Sequence, residues 1–197
     1  KKDLRFKGFF RTMIFLPCTT SLVAYAIIFR SLFANNGLVN YVLVNIGILD
    51  KPYNFLTQPF AAKMVIILAL LWRWTGYNMV FFLSGLQNIE YSVYEAAKID
   101  GASAIQTFFK ITVPLLKPTI LLTAIMSTNG TLQLFDESIN LTDGGPANAS
   151  ISMSHYIYNL CFKYVPNFGY AAAMSFFILL LVAVLAFIQM RVGDKRD

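Results

Sequence analysis

The strongest constraint on this chain is an apolar run near the end of its sequence. Tyr170 to Met190 is twenty-one residues without a single Asp, Glu, Lys or Arg. As a helix rising ~1.5 Å per residue, such a run crosses the roughly 30 Å hydrocarbon core of a bilayer. Lipid offers no partners for backbone amides, so the run closes its hydrogen bonds on itself as a helix. Three further stretches are apolar enough to repeat the pattern: 12–29, 64–86 and 118–135. The expected fold class is therefore an all-α membrane protein with four transmembrane helices. Composition agrees, with 57% hydrophobic and only 13% charged residues, against about 25% charged in soluble domains. Pro17 is expected to kink the first span, and Lys63 to snorkel at the edge of the second. Between the spans, Gly37 to Leu49 reads as a short interfacial helix, Asp50-Lys51-Pro52 as a turn, and Ser152 to Phe162 as a helix in the last loop.

The charges orient these spans. Eleven of the sixteen Lys and Arg residues lie in three places: the segment before the first span, the segment 87–117 (Lys98, Lys110, Lys117), and the tail after Met190. Four spans put all three on one side, which the positive-inside tendency makes cytoplasmic. The net charge of +6 is thus spent at membrane edges. Basic residues do not interleave with aromatics as a nucleic-acid surface requires, so nucleic acid is not an expected partner.

The middle segment, 87–117, is polar between two apolar runs and reads as helix, glycine turn, helix. Ser92-Val93-Tyr94-Glu95 and Ser103-Ala104-Ile105-Gln106 each have the capping-box spacing. Gly101 falls where a helix end favours positive φ. Pro114 and Pro118 are expected to stop the second helix and open the next span. Glu95-Ala96-Ala97, three residues, Gly101, nine residues, then Ile111-Thr112-Val113-Pro114 resembles the EAA motif of permease subunits of binding-protein-dependent ABC importers, with Val113 where that family usually has Leu. Trp72-Arg73-Trp74-Thr75-Gly76-Tyr77-Asn78, Gly85-Leu86-Gln87, Leu141-Thr142-Asp143-Gly144-Gly145-Pro146 and Phe168-Gly169-Tyr170-Ala171 resemble flanking segments of the sugar-importing branch.

The resemblance implies a type I ABC importer permease core in a bacterial inner membrane. Its implied partners are ABC ATPase subunits, a second permease subunit, an extracytoplasmic solute-binding protein, the lipid bilayer and a sugar. It also implies spans upstream of Lys1, and a sequence opening on Lys without a signal peptide reads as a fragment or processed product. Glu95, Ala96, Ala97, Asp100, Gly101, Ile111 and Pro114 would form the ATPase-coupling surface. Two readings of Glu95 stand together: a cap returning to its own helix, and a charge-assisted contact to a basic group of the ATPase. Ala96 and Ala97 either serve helix propensity or let the helix enter a groove. Asp100 contacts either the following turn or the partner.

No catalytic apparatus is expected. The sequence has no Gly-x4-Gly-Lys-Ser/Thr, so ATP belongs to the partner ATPase and the chain needs no cofactor of its own. A single His and two Cys give no metal centre and no disulfide framework, and His155 reads as a plain polar residue. The rival functions, a channel or an intramembrane enzyme, fit less well. An enzyme needs an acid–base dyad inside the spans, and a channel needs no EAA loop. For the substrate path the candidates are Arg73, Asn78, Asn129 and Gln133. Arg73 either walls the path or is paired within the bundle. The stretch 118–135 carries Thr119, Thr123, Ser127, Thr128, Asn129, Thr131 and Gln133. That is polar for lipid exposure and favours a cavity lining over helix packing.

Overall fold

The computed structural model describes residues 6–193, and every regular element it contains there is helical. In chain order these are α1 (Lys7–Thr19), α2 (Leu22–Leu32), α3 (Leu38–Asn45) and α4 (Pro59–Gln87). Next come α5 (Tyr91–Ile99), α6 (Ala104–Thr107), a π-helical stretch (Phe108–Thr112), α7 (Val113–Leu115) and α8 (Lys117–Leu132). The chain continues with α9 (Asp136–Thr142), α10 (Met153–Tyr158), a second π-helical stretch (Asn159–Lys163) and α11 (Phe168–Gly193). Two helices, α4 and α11, are individually long and apolar enough to cross a membrane.

The stretch 12–29 is not one straight helix, although its two halves together are long and apolar enough to cross a membrane as one bent span. It is broken into α1 and α2, which meet at 102°. Pro17 removes an amide from the helix, and the hydroxyls of Thr19 and Thr20 both donate to the Leu16 carbonyl, at 2.9 and 3.1 Å. The Thr20 amide turns instead to Pro17 O, and the backbone leaves the helix with Thr20 extended. Side-chain hydroxyls that take over a carbonyl in this way compete with the helix ladder. Neither half, 13 and 11 residues long, reaches the roughly 20 residues a straight span requires.

The stretch 118–135 is also shorter than expected as a helix. The helix α8 stops at Leu132, Gln133 caps it, and Phe135 already opens α9. At the other end, Pro114 does not stop the second helix of the middle segment. The π-helical turns pair carbonyls five residues on, and Pro114 then falls in the first turn of α7, where a missing amide costs nothing. The break comes at Leu116, before Pro118, where the path bends by 64°.

The core lies where α2 and α9 pack on the first half of α4. Tyr25, Ala26 and Phe29 meet Val65, Ile66, Ala69 and Leu141 there. Small residues on α4 allow close approach, the usual device when helices associate in lipid. Gly76 lets α1 lie so close that a Cβ would run into the Ile14 carbonyl. Gly85 does the same for α8, where a Cβ would stand 2.6 Å from Thr119 Oγ1.

Candidate functional site

The middle segment forms a helical knob. Its first cap differs from the one expected: α5 begins at Tyr91 with Glu90 as N-cap, so Ser92 is already inside the helix. Ser92 Oγ donates to Glu90 Oε2 at 3.3 Å rather than receiving an amide, and the Ser92–Glu95 capping box does not form. The helix end, in contrast, follows its glycine. Gly101 has φ of +74°, its amide donates to Lys98 O at 3.2 Å, and Ala102 N–H donates to Ala97 O at 2.9 Å. These two bonds make a Schellman motif. A reciprocal capping box then starts α6, with Ser103 N–H donating to Gln106 Oε1 at 2.8 Å and Gln106 N–H to Ser103 Oγ at 3.3 Å.

Glu95, Ala96, Asp100, Gly101 and Pro114 are exposed, Ile111 is half-buried, and Ala97 is buried. Tyr94 Oη and Thr112 Oγ1, 3.3 Å apart, tie α5 to the π-helical stretch. Around this polar frame stand apolar side chains with nothing over them: Ile99 is 85% exposed, Ile105 72%, and Phe108 and Phe109 are also exposed. Exposed apolar residues clustered inside a polar rim mark a surface that meets a partner.

The path candidates separate into two groups. Asn129 and Gln133 belong together: Gln133 Nε2 donates to Asn129 Oδ1 at 2.8 Å. Both line a cavity of about 620 Å³ with Ser154, Ile157, Ser175 and Ile178, between α8, α10 and α11. Arg73 lies elsewhere, in a cavity of about 280 Å³ with Cys18, Trp74 and Tyr77. The Trp74 indole packs on Gly130, where a Cβ would come within 2.6 Å of the ring. Asn78 lies outside both linings, half-buried, with its Oδ1 buried and unpartnered. Of the two readings of Arg73, the structure supplies the ion pair: Nη1 stands 3.4 Å from Glu137 Oε1.

Glu137 and His155 are the residues that sequence reasoning missed. Glu137 is 4% exposed, and its position just past an apolar run reads as the start of a loop. His155, expected as a plain polar residue, is fully buried. Ser138 Oγ lies 2.8 Å from Ser150 O and 2.9 Å from His155 Nδ1. On the other side of the ring, Nε2 faces Asp143 Oδ1 at 3.8 Å. Burial pushes the His155 imidazolium below the ordinary histidine range, with Asp143 opposing. Lys163 donates to Asp143 at 2.7 Å, which holds that carboxyl below its usual value and the Lys163 ammonium above its own. The only sequence signal was His155 itself, because the burial comes from α9 folding back over α10.

The whole chain resembles known proteins. A family model described as "Binding-protein-dependent transport system inner membrane component" matches residues 1–196. The lactose transport system permease protein LacF of Rhizobium radiobacter is 56% identical over 195 residues, covering 98% of this chain and 65% of that protein. The arabinooligosaccharides transport system permease protein AraP of Bacillus subtilis (strain 168) is 32% identical over 98% of this chain and 62% of its own length. The chain thus spans just under two thirds of these relatives. Among solved structures, a bacterial ABC transporter involved in the import of the acidic polysaccharide alginate superposes with a TM-score of 0.84 at 26% identity, over 97% of this chain and 68% of that one.

Proposed function

The chain belongs to the family of binding-protein-dependent transport system inner membrane components, a membrane transport component rather than an enzyme, and from that premise we propose that it is a permease subunit of an ATP-driven sugar importer. The reading rests on one observation above all: a capped, glycine-hinged knob with Ile99, Ile105, Phe108 and Phe109 uncovered. Separate ABC ATPase subunits would cover that knob on the cytoplasmic side, the side assigned by the basic residues. Closing of two ATPase subunits would push the knob and tilt α4 and α8, to which it is joined at both ends. The spans would then alternate between outward- and inward-open states. A second permease subunit would complete the path, and a solute-binding protein would deliver sugar to the outer loops. Asn129 and Gln133 would line the route, since their amides offer the donors and acceptors a hydroxyl-rich solute needs. ATP would act only in the partner.

Co-purification tests this. The full-length permease, expressed with its ATPase, is expected to carry the ATPase through purification, and a variant with residues 92–113 replaced by a Gly-Ser linker is expected to lose it. Equal retention of the ATPase by both would overturn the coupling assignment.

A further inference from the structure

Arg73 is the fifteenth of the 29 residues of α4, so it stands about 21 Å from either end of the helix. A guanidinium at the middle of a span is tolerated only against protein or water. Its one ion-pair partner among the described residues is Glu137, brought in by α9, whose side chain is 5% exposed against 27% for Arg73. Tyr25 Oη donates to the same carboxylate oxygen at 3.5 Å, and the Arg73 guanidinium lies 5.8 Å from the centre of the Tyr25 ring. The carboxylate is therefore sealed behind, and the guanidinium faces the cavity it shares with Cys18, Trp74 and Tyr77. One contact at 3.4 Å occupies one of five N–H donors.

We propose that Glu137 sets the charge of this cavity near zero and is thereby a specificity-determining residue: it keeps Arg73 from capturing anionic sugars such as uronates while leaving its free donors to hydroxyls. An unpaired guanidinium in a low-dielectric site draws a carboxylate into a bidentate pair, whereas a neutralised one offers hydrogen bonds without net attraction. The charge assignment stands on geometry alone. The identity of the excluded solute rests on the reading of the chain as a sugar permease.

Cys18 is a reporter already inside the cavity. In the assembled complex with Cys161→Ser, its modification is followed by peptide mass with two methanethiosulfonates, one bearing a sulfonate and one a trimethylammonium. The same thiolate attacks both reagents and displaces methanesulfinate from each, so their rate ratio cancels its ionisation and reads the local potential. Glu137→Gln is expected to raise the anion-to-cation ratio about tenfold or more, as the loss of the unit charge that pairs with Arg73 implies. Arg73→Gln is expected to move it the other way, which keeps the test alive if Glu137→Gln fails to insert. Arg73→Gln with Glu137→Gln is expected to restore the starting ratio, and Asp136→Asn to leave it unchanged. A ratio indifferent to Glu137→Gln, or moved as much by Asp136→Asn, would overturn the charge assignment. In a second arm, digalacturonate is expected to protect Cys18 in Glu137→Gln but not in the parent. Failure to protect despite a shifted ratio would overturn the specificity role. If neither digalacturonate nor lactose protects Cys18 in any variant while the ratio shifts as stated, this cavity admits no sugar and the specificity role is overturned, whereas the charge assignment and the Asn129–Gln133 route both stand.

Discussion

Gly101 offers the sharpest test, because its backbone and its surroundings make opposite demands on a replacement. Its φ is +74°, and a Cβ built there would meet nothing within 4 Å. Bulk is thus irrelevant, and the cost of a side chain is entirely that of holding an L-residue in the left-handed region. That cost is about 1–2 kcal/mol for an ordinary residue, least for Asn, whose short amide tolerates the region, and greatest for a β-branched side chain. Gly101→Asn is expected to cost a few tenths of a kcal/mol, Gly101→Ala about 1 and Gly101→Val about 2. The amides that report it are residue 101 and Ala102, which close the Schellman bonds to Lys98 and Ala97. Their hydrogen-exchange protection should fall about fivefold for Ala and roughly thirtyfold for Val, with Asn close to the parent. Uptake per ATP hydrolysed should fall in the same order, because the knob would be aimed elsewhere. A ranking by volume, with Asn worse than Ala, would refute the reasoning and show that the turn is crowded in the working complex.

Three further outcomes follow from the same geometry. Glu95 does not close a capping box, so Glu95→Gln should leave α5 stability within about 0.5 kcal/mol of the parent yet weaken ATPase binding, more at low salt than at high; equal binding across salt would leave the knob's shape as the whole explanation. Asn129→Leu with Gln133→Leu removes the paired amides of the larger cavity and should abolish or redirect uptake while the complex still assembles, whereas unchanged uptake of every sugar tested would return α8 to a packing role. His155 is buried with its folded pKa below the ordinary value of 6.5, so the unfolded loop takes up the proton first. Protection of α9 and α10 from exchange should therefore be full above about pH 6.5 and decline as pH falls below it, a slope that His155→Gln should flatten. Asp143, held low by Lys163, stays ionised throughout that window.

Much of this protein is local, and local features are what a sequence carries. The uncharged run at 170–190 forms a helix wherever it lies, since lipid leaves its amides no other partner. Gly101 and the Ser103–Gln106 box act within five residues of themselves, and both appear in the structure as spacing predicts. The Ser92–Glu95 box failed because two neighbouring serine-capped patterns look alike until the helix start is known, and α5 began two residues too early for it. The break between α1 and α2 was half legible: Pro17 announced a kink, but the 102° turn needed the hydroxyls of Thr19 and Thr20 to choose the Leu16 carbonyl over water. The remaining features depend on contacts between residues far apart in the chain. Arg73 and Glu137 are 64 residues apart, and no periodicity links them. Whether Arg73 walls a path or is paired in the bundle, and whether His155 is a surface residue or the centre of a loop, depends on α9 folding back against α2, α4 and α10. Sequence therefore determined the long apolar helix and the local caps and turn of the middle segment, while several helix ends and the whole of α9 depended on the fold. Tertiary packing alone decided which charges are buried together, because a buried charge takes its meaning from its partner.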